Sequence, residues 1–302
     1  MSRIHDALKK AELEKSTDLG DEAQPPATRL EVAGKVEPLP NPSIATMPSF
    51  AAPFTFEALL ERSAVGHWSP DPTTMLFFHQ EEAQAQEAFR TLRSRLFQIR
   101  EKLPIKKILV TGSTGNEGKS FVAANLAQAL VQQLGQRALL IDADLRGPKL
   151  HLALGTSAAP GLSDYLMGKI EEFAIVQRGP MENLFFLPAG TVVANPLELI
   201  ANGRINLLLS RVEPLFDWII VNSPPAVSVS DAGQLANSCD GVLLVVRSNA
   251  TPFDVAQRAR DEFLGKRIVG VVLNGVDAES FSHPGYDDDI AEPSEGKGLG
   301  LM

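Results

Sequence analysis

The sequence has little of what marks a secreted, membrane-spanning or nucleic-acid-binding protein. Its 302 residues include a single cysteine, Cys239, which excludes an intrachain disulfide framework. No run approaches the ~20 consecutive apolar residues of a membrane-spanning helix, and the first residues lack the apolar core of a signal peptide. The net charge of −9 argues against a general nucleic-acid binder, which would carry a basic surface. We therefore expect a cytoplasmic protein with no nucleic-acid partner.

The two ends of the chain lack the pattern of a packed core. In residues 1–15, apolar side chains at helical spacing predict a short amphipathic helix, which is either a frayed terminus or a docking helix for a partner. Residues 16–80 are rich in proline and are predicted to form a mostly disordered linker, with a helical turn at Phe56–Arg62 and a short apolar run at 75–78. Residues 278–302 are predicted to form a flexible acidic tail.

Residues 81–277 are predicted to form the main domain. Near-continuous apolar strands alternate there with helical stretches, which is typical of a mainly parallel sheet with helices on both faces. The predicted class is therefore α/β, with the fold of a P-loop NTPase. The predicted strands are 107–111, 138–142, 184–188, 218–221, 241–246 and 268–273.

The strongest motif is a glycine-rich loop, Gly-Ser-Thr-Gly-Asn-Glu-Gly-Lys-Ser at 112–120, between a predicted strand and a predicted helix. Its backbone N–H groups would hold the phosphates of a nucleoside triphosphate, with Lys119 on the β- and γ-phosphates and Ser120 on Mg²⁺. The strict pattern has glycine at 113, where this chain has serine. The predicted nucleotide-binding residues of the loop are Ser113, Thr114, Gly115, Asn116, Glu117, Gly118, Lys119, Ser120 and Phe121.

Two further strands end in polar residues that suit catalysis. Asp142 and Asp144 lie at the end of one strand, where they could hold Mg²⁺ and accept a proton from an attacking hydroxyl, alongside Lys119. Asn222 ends another strand, at the position where a P-loop enzyme usually has a metal-binding aspartate. An asparagine can accept a hydrogen bond from a metal-bound water, but it lacks the charge that would hold that water firmly.

Before the domain, Glu87, Arg90 and Arg93 recur at a spacing of three along a predicted helix. From the residues alone this is either a solvated face with a local ion pair or a functional surface.

Taken together, the motifs resemble those of the bacterial tyrosine kinases of capsule and exopolysaccharide systems. The resemblance extends over about residues 87–277 and includes the opening of the chain, residues 1–10. The matching segments are the loop ending Gly118-Lys119-Ser120, the motif Asp142-x-Asp144-x-Arg146, the strand end from Ile219 to Pro225, the helix motif Glu87-x-x-Arg90-x-x-Arg93, and Leu187-Pro188-Ala189-Gly190 followed by Asn195-Pro196-x-Glu198.

The resemblance implies an ATP- and Mg²⁺-dependent tyrosine autokinase that regulates polysaccharide synthesis and export. It implies that Glu87, Arg90 and Arg93 pack subunits into a ring, and that Asp142 acts near the nucleophile and Mg²⁺. It also implies that Asn274, at the end of the last strand, contacts the adenine. The implied partner is a membrane-embedded chain-length regulator (co-polymerase), which would recruit the kinase to the inner face of the plasma membrane.

This chain departs from the family pattern in two ways. Its tail contains one tyrosine, Tyr286, where relatives have a tyrosine cluster, and Asn222 replaces an aspartate. These departures leave open a kinase-impaired, nucleotide-dependent regulator of the same machinery. A third alternative is a MinD/ParA-like ATPase, but this class has a signature lysine where the chain has Thr114.

Overall fold

The structure, a computed structural model, describes residues 55–78 and 83–276. The predicted helix at 1–15, the tail at 278–302 with Tyr286, and the linker up to residue 54 lie outside the described residues. None of the described helices is both long enough and apolar enough to cross a membrane.

In the described residues, eight strands form one sheet with the order β1-β4-β5-β3-β6-β2-β7-β8. Neighbouring strands are parallel, apart from the antiparallel pair of β4 and β5. The six strands predicted from apolar runs are all present, with ends within one residue of those expected. The strands are β1 (Ala64–Val65), β2 (Lys107–Gly112), β3 (Ala138–Asp142), β4 (Gln177–Arg178), β5 (Leu184–Leu187), β6 (Trp218–Asn222), β7 (Gly241–Arg247) and β8 (Ile268–Asn274).

Helices cover both faces of this sheet, as the continuous apolar strands predict. In β3, Leu139 and Ile141 belong to the core on one face, whereas Ala138 and Leu140 belong to the core on the other. The α-helices are α1 (Phe56–Arg62), α2 (Ala83–Lys102), α3 (Lys119–Val131), α4 (Leu150–Leu154), α5 (Leu162–Leu166), α6 (Pro196–Ala201), α7 (Arg204–Val212), α8 (Asp231–Ala236) and α9 (Phe253–Asp261). Short 3₁₀ helices cover Leu76–Phe78, Glu172–Ile175 and Glu213–Leu215.

Within the linker predicted over 16–80, the segment 55–78 is folded and packed, which corrects the prediction of disorder for this part. The helical turn predicted at Phe56–Arg62 is present as α1. Leu59 of α1 is fully buried in one core, and Trp68 and Met75 are buried in the other. Trp68 packs edge-on against Phe186, with 6.2 Å between ring centroids. The large apolar residues of this segment have no regular spacing. The surfaces that bury them also come from distant parts of the chain, so local patterns predicted the helical turn but not the packing of the segment.

The order of the strands brings the ends of β2, β3 and β6 together. Asp142 pairs with Asn222 in the register of β3 and β6, and Asn222 pairs with Val110 in the register of β2 and β6. The carboxyl ends of parallel strands are where ligands bind in this class of sheet. The glycine-rich loop and the two polar strand ends therefore share one edge of the sheet.

Candidate functional site

The glycine-rich loop leaves β2 at Gly112 and enters α3 at Lys119. Asn116 and Gly118 have positive φ values of 62° and 90°, which turn the chain sharply before the helix. The Lys119 ammonium donates to the carbonyl of Thr114 at 2.5 Å. Burial lowers the pKa of Lys119, and the nearby carboxylates of Glu117 and Asp144 oppose this effect. The loop thus places a cation and the unpaired N–H groups of a helix start side by side, as phosphate binding requires.

On the β3–β6 side of the loop, Asp142 and Asn222 form a buried polar pair. The Asn222 amide donates from Nδ2 to Asp142 Oδ1 at 3.0 Å, and the Leu150 N–H donates to Asp142 Oδ2 at 3.2 Å. Burial raises the pKa of Asp142 to about 6, against these hydrogen bonds. Asn222 Oδ1 is also buried, and it has no hydrogen-bond partner among the described residues.

Asp144 lies in the loop after β3, near the Lys119 ammonium. Its Oδ1 accepts from the Gly147 N–H at 3.0 Å and from the Arg146 N–H at 3.3 Å. The Arg146 guanidinium makes a bidentate pair with Asp231, at 2.7 and 3.0 Å. Asp231 is buried at the start of α8, and sequence reasoning missed its role. An acidic residue at a helix start is common, so only the fold reveals that it anchors Arg146.

The residues predicted to bind Mg²⁺ are Ser120, Asp142, Asp144 and Asn222. They offer hydroxyl, carboxylate and amide oxygens, which suit this hard cation. The unpaired Oδ1 of Asn222 is an acceptor that a metal-bound water would satisfy. Among the described residues, no group of three or more His, Cys, Asp or Glu side chains could hold a metal by itself. The set therefore fits Mg²⁺ as part of a nucleotide complex, in which phosphates would complete the coordination.

The three charged residues of the α2 motif make different contacts. Glu87 and Arg90 form an exposed ion pair at 3.1 Å on the helix surface. The Arg93 guanidinium instead donates to the carbonyl of Ala129 on α3, at 2.8 Å. The structure thus assigns Arg93 a contact within the domain, while Glu87 and Arg90 remain at the surface.

A groove of about 640 Å³ lies between α2, the start of α3 and the end of β8. Phe121 and Asn274, both predicted from the sequence to bind nucleotide, line this groove together with Leu92 of α2. Asn274 Nδ2 donates to the carbonyl of Glu117 at 2.9 Å, so it is attached directly to the glycine-rich loop.

Known proteins are similar to this chain in sequence and in fold. The model of the CobQ/CobB/MinD/ParA nucleotide binding domain matches residues 108–295. The tyrosine-protein kinase YwqD of Bacillus subtilis is 33% identical over 202 residues, which cover 66% of this chain and 85% of that protein. The kinase domain of the Escherichia coli tyrosine kinase Etk has a TM-score of 0.61 at 32% identity, over 73% of this chain and 83% of that structure. The chain belongs to the bacterial tyrosine kinase family.

This assignment confirms the resemblance inferred from the motifs. Bacterial tyrosine kinases in the comparison differ in length. The chain covers 28% of the tyrosine-protein kinase Wzc of Salmonella typhi, to which it is 31% identical over 204 residues. In this bacterial tyrosine kinase, the predicted residues Lys119, Asp142, Asp144 and Asn222 all lie at the carboxyl edge of the sheet.

Proposed function

We propose that this bacterial tyrosine kinase transfers the γ-phosphate of ATP to tyrosine, and that it regulates exopolysaccharide or capsule synthesis and export. The observation that carries the proposal is the buried Asp142, which lies beside a phosphate-binding loop at the carboxyl edge of the sheet. Relatives of this chain are named tyrosine-protein kinases. Bound Mg²⁺ would neutralise phosphate charge, with Ser120, Asp142, Asp144 and Asn222 around it.

The chain's own residues would then act in simple roles. The Lys119 ammonium and the loop amides hold the phosphates in place. The tyrosine oxygen attacks the γ-phosphorus, the bond to the β–γ bridging oxygen breaks, and ADP leaves. Asp142 accepts the hydroxyl proton, since a carboxyl with a pKa of about 6 is mostly ionised at neutral pH but still binds a proton readily.

The chain has two tyrosines, which narrows the choice of acceptor. Tyr165 is buried, with 1% of its surface exposed, and it packs under the Arg204 guanidinium. A buried phenol cannot reach a neighbouring active site without unfolding α5. We therefore propose Tyr286 as the phosphorylated residue in an autokinase reaction.

Assembly and recruitment complete the proposal. Glu87 and Arg90, which are exposed on α2, suit a contact with a second subunit in a ring, with Arg93 fixing the helix to the domain. The groove beside Phe121 and Asn274 suits the adenine, because it is largely apolar and adjoins the phosphate loop. A membrane-embedded chain-length regulator would bring this cytoplasmic kinase to the inner face of the plasma membrane.

The test is phosphotyrosine mapping by mass spectrometry on the full chain with ATP and Mg²⁺, with and without the membrane activator. We expect phosphate on Tyr286 in the wild type. Its yield should fall at least about a hundredfold in Lys119→Met, which keeps most of the side-chain length but removes the phosphate-binding charge. Exposed Lys169→Met serves as the matched control. The proposal is wrong if phosphotyrosine is absent from the wild type even with the activator present.

A second candidate is a nucleotide-dependent regulator with little kinase activity. The unpaired amide oxygen of Asn222, in place of a carboxylate, favours it. This candidate predicts that the wild type binds ATP with Mg²⁺ but forms no phosphotyrosine. Calorimetric titration of ATP alongside the phosphotyrosine measurement separates the two candidates.

A further inference from the structure

Glu117 is an unusual residue inside the phosphate loop, because its carboxylate is almost completely buried. Only 1% of its surface is exposed, although the two preceding residues, Gly115 and Asn116, are exposed. Carboxylates are rarely buried unless hydrogen bonds compensate for the loss of hydration. The contacts of Glu117 therefore show what the loop gains from it.

Both carboxylate oxygens of Glu117 are engaged. Oε2 accepts from the backbone N–H of Thr114 at 2.9 Å, across the width of the loop. Oε1 accepts from the Thr251 hydroxyl at 2.8 Å, in the connection between β7 and α9. The Thr251 oxygen in turn accepts from the Arg247 N–H at 3.2 Å. One side chain thus ties the first half of the loop to the end of β7.

The main chain on either side of Glu117 is held to the same strands. Asn274 at the end of β8 donates to the Glu117 carbonyl, and the Arg247 guanidinium donates to the Asn116 carbonyl at 3.3 Å. A side chain at position 112 would collide with Glu117 Oε2, and one at 118 would collide with the Asn274 amide. The glycines at these two places therefore make room for the polar contacts as well as for the turn.

We infer that Glu117 is a positioning residue of the kinase. Its hydrogen bonds brace the phosphate loop against the ends of β7 and β8, in the form that accepts the triphosphate. The inference rests on the proposed nucleotide-binding function and names a residue that acts through the loop instead of touching the substrate. A loop that is held before binding loses less conformational freedom when the phosphates arrive. Loss of the brace should therefore weaken nucleotide binding.

Two variants separate the contacts of the brace. Glu117→Gln replaces the carboxylate by a neutral amide, whose oxygen can accept from Thr114 or from Thr251 but not from both. In either orientation the bond across the loop is lost or is weakened by the loss of the charge. Thr251→Val keeps the shape of the side chain and removes the hydroxyl, so the bond across the loop stays. Exposed Glu182→Gln is the control for a neutralised carboxylate away from the site.

The experiment measures ATP affinity with Mg²⁺ by calorimetry, the thermal midpoint, and the Thr114 amide resonance in the ¹⁵N-labelled, nucleotide-free full chain. We expect Glu117→Gln to raise Kd at least about tenfold, because both hydrogen bonds of the side chain lose the charge of the carboxylate. We expect Thr251→Val to raise Kd about threefold, less than Glu117→Gln, because it removes one of the two bonds and leaves the charged bond across the loop. The Thr114 amide should lie downfield in the wild type and in Thr251→Val, and should move upfield in Glu117→Gln alone.

An ATP affinity of Glu117→Gln within about twofold of the Glu182→Gln control would overturn the inference, since one bond to a charged group is expected to count for more. If Glu117→Gln does not fold, an unchanged affinity of Thr251→Val overturns it instead. If the wild type itself binds no ATP, the proposed function fails. The inference about Glu117 is then tested by the Thr114 resonance alone, because that measurement needs no nucleotide.

Discussion

The phosphate loop lies between two polar regions that satisfy their hydrogen-bonding groups to different degrees. On the β7–β8 side, Glu117 has partners for both carboxylate oxygens and for its carbonyl. Thr251, in the connection after β7, and Asn274, at the end of the neighbouring strand β8, supply two of those partners. Such a network holds the loop in one conformation, because breaking any bond leaves a buried group without a partner.

On the β3–β6 side the balance differs. Asp142 is buried with a raised pKa, and the Oδ1 of the adjacent Asn222 has no partner among the described residues. Buried groups in this condition are costly for folding, and they are common where a ligand or metal completes the set. The β7–β8 side, whose polar groups have partners, therefore supports the loop. The β3–β6 side, whose hydrogen bonding is incomplete, is where the phosphates, Mg²⁺ and the acceptor hydroxyl would meet.

The largest effect is expected from neutralising the buried carboxyl of Asp142 on the β3–β6 side. The pKa of Asp142 is about 6 in the folded chain against 3.8 for the free side chain. The folded state therefore holds the proton more tightly, and the free energy of unfolding falls as the pH rises from about 4 to about 6. This difference corresponds to about 3 kcal/mol.

Asp142→Asn has no such proton to lose. Its free energy of unfolding should therefore rise relative to that of the wild type by about 3 kcal/mol between pH 4 and pH 7. Denaturant unfolding at both pH values measures this gain. The exposed control Asp254→Asn should follow the wild type. A constant difference between Asp142→Asn and the wild type across this range would contradict the raised pKa.

The next largest effect is expected from adding a negative charge on the β3–β6 side. Asn222→Asp would place a second carboxylate about 3 Å from Asp142, a distance at which two carboxylates attract a divalent cation. We expect phosphotyrosine formation at limiting Mg²⁺ to rise about tenfold. The metal-free protein should also lose stability, because the two charges repel.

The control is Asn237→Asp, which adds the same charge at an exposed position. If Asn222→Asp gives no more phosphotyrosine than this control, the missing charge is not what limits the kinase.

The smallest effect comes from loosening the satisfied side. Asn274→Ala removes the bond to the Glu117 carbonyl and should weaken ATP binding by about 1 kcal/mol, the typical net contribution of one hydrogen bond. Asn202→Ala is a close match, because Asn202 also donates to a backbone carbonyl, that of Leu166 at 3.1 Å, but outside the loop. Calorimetric ATP titration of both variants makes the comparison, and equal affinities would show that the bond does not support binding.

Local patterns in the sequence were sufficient for much of this protein. Continuous apolar runs predicted the strands, because strands buried on both faces need apolar side chains at every position. The Gly118-Lys119-Ser120 core of the loop predicted phosphate binding, since its position between strand and helix is itself local. The same reasoning predicted the helical turn at Phe56–Arg62 but not the packing of residues 55–78, which depends on surfaces far along the chain.

Only the tertiary structure decided which polar groups meet. The pairing of Asp142 with Asn222 and of Arg146 with Asp231 joins residues 80 and 85 positions apart, and depends on strand order and register. The burial of Glu117 likewise depends on β7 and β8 lying beside the loop. The sequence by itself determined the fold class, the phosphate loop and the kinase family, because those are written in short, local patterns. The tertiary structure determined which side of the loop is braced and which is left incomplete, because hydrogen bonds form between neighbours in space.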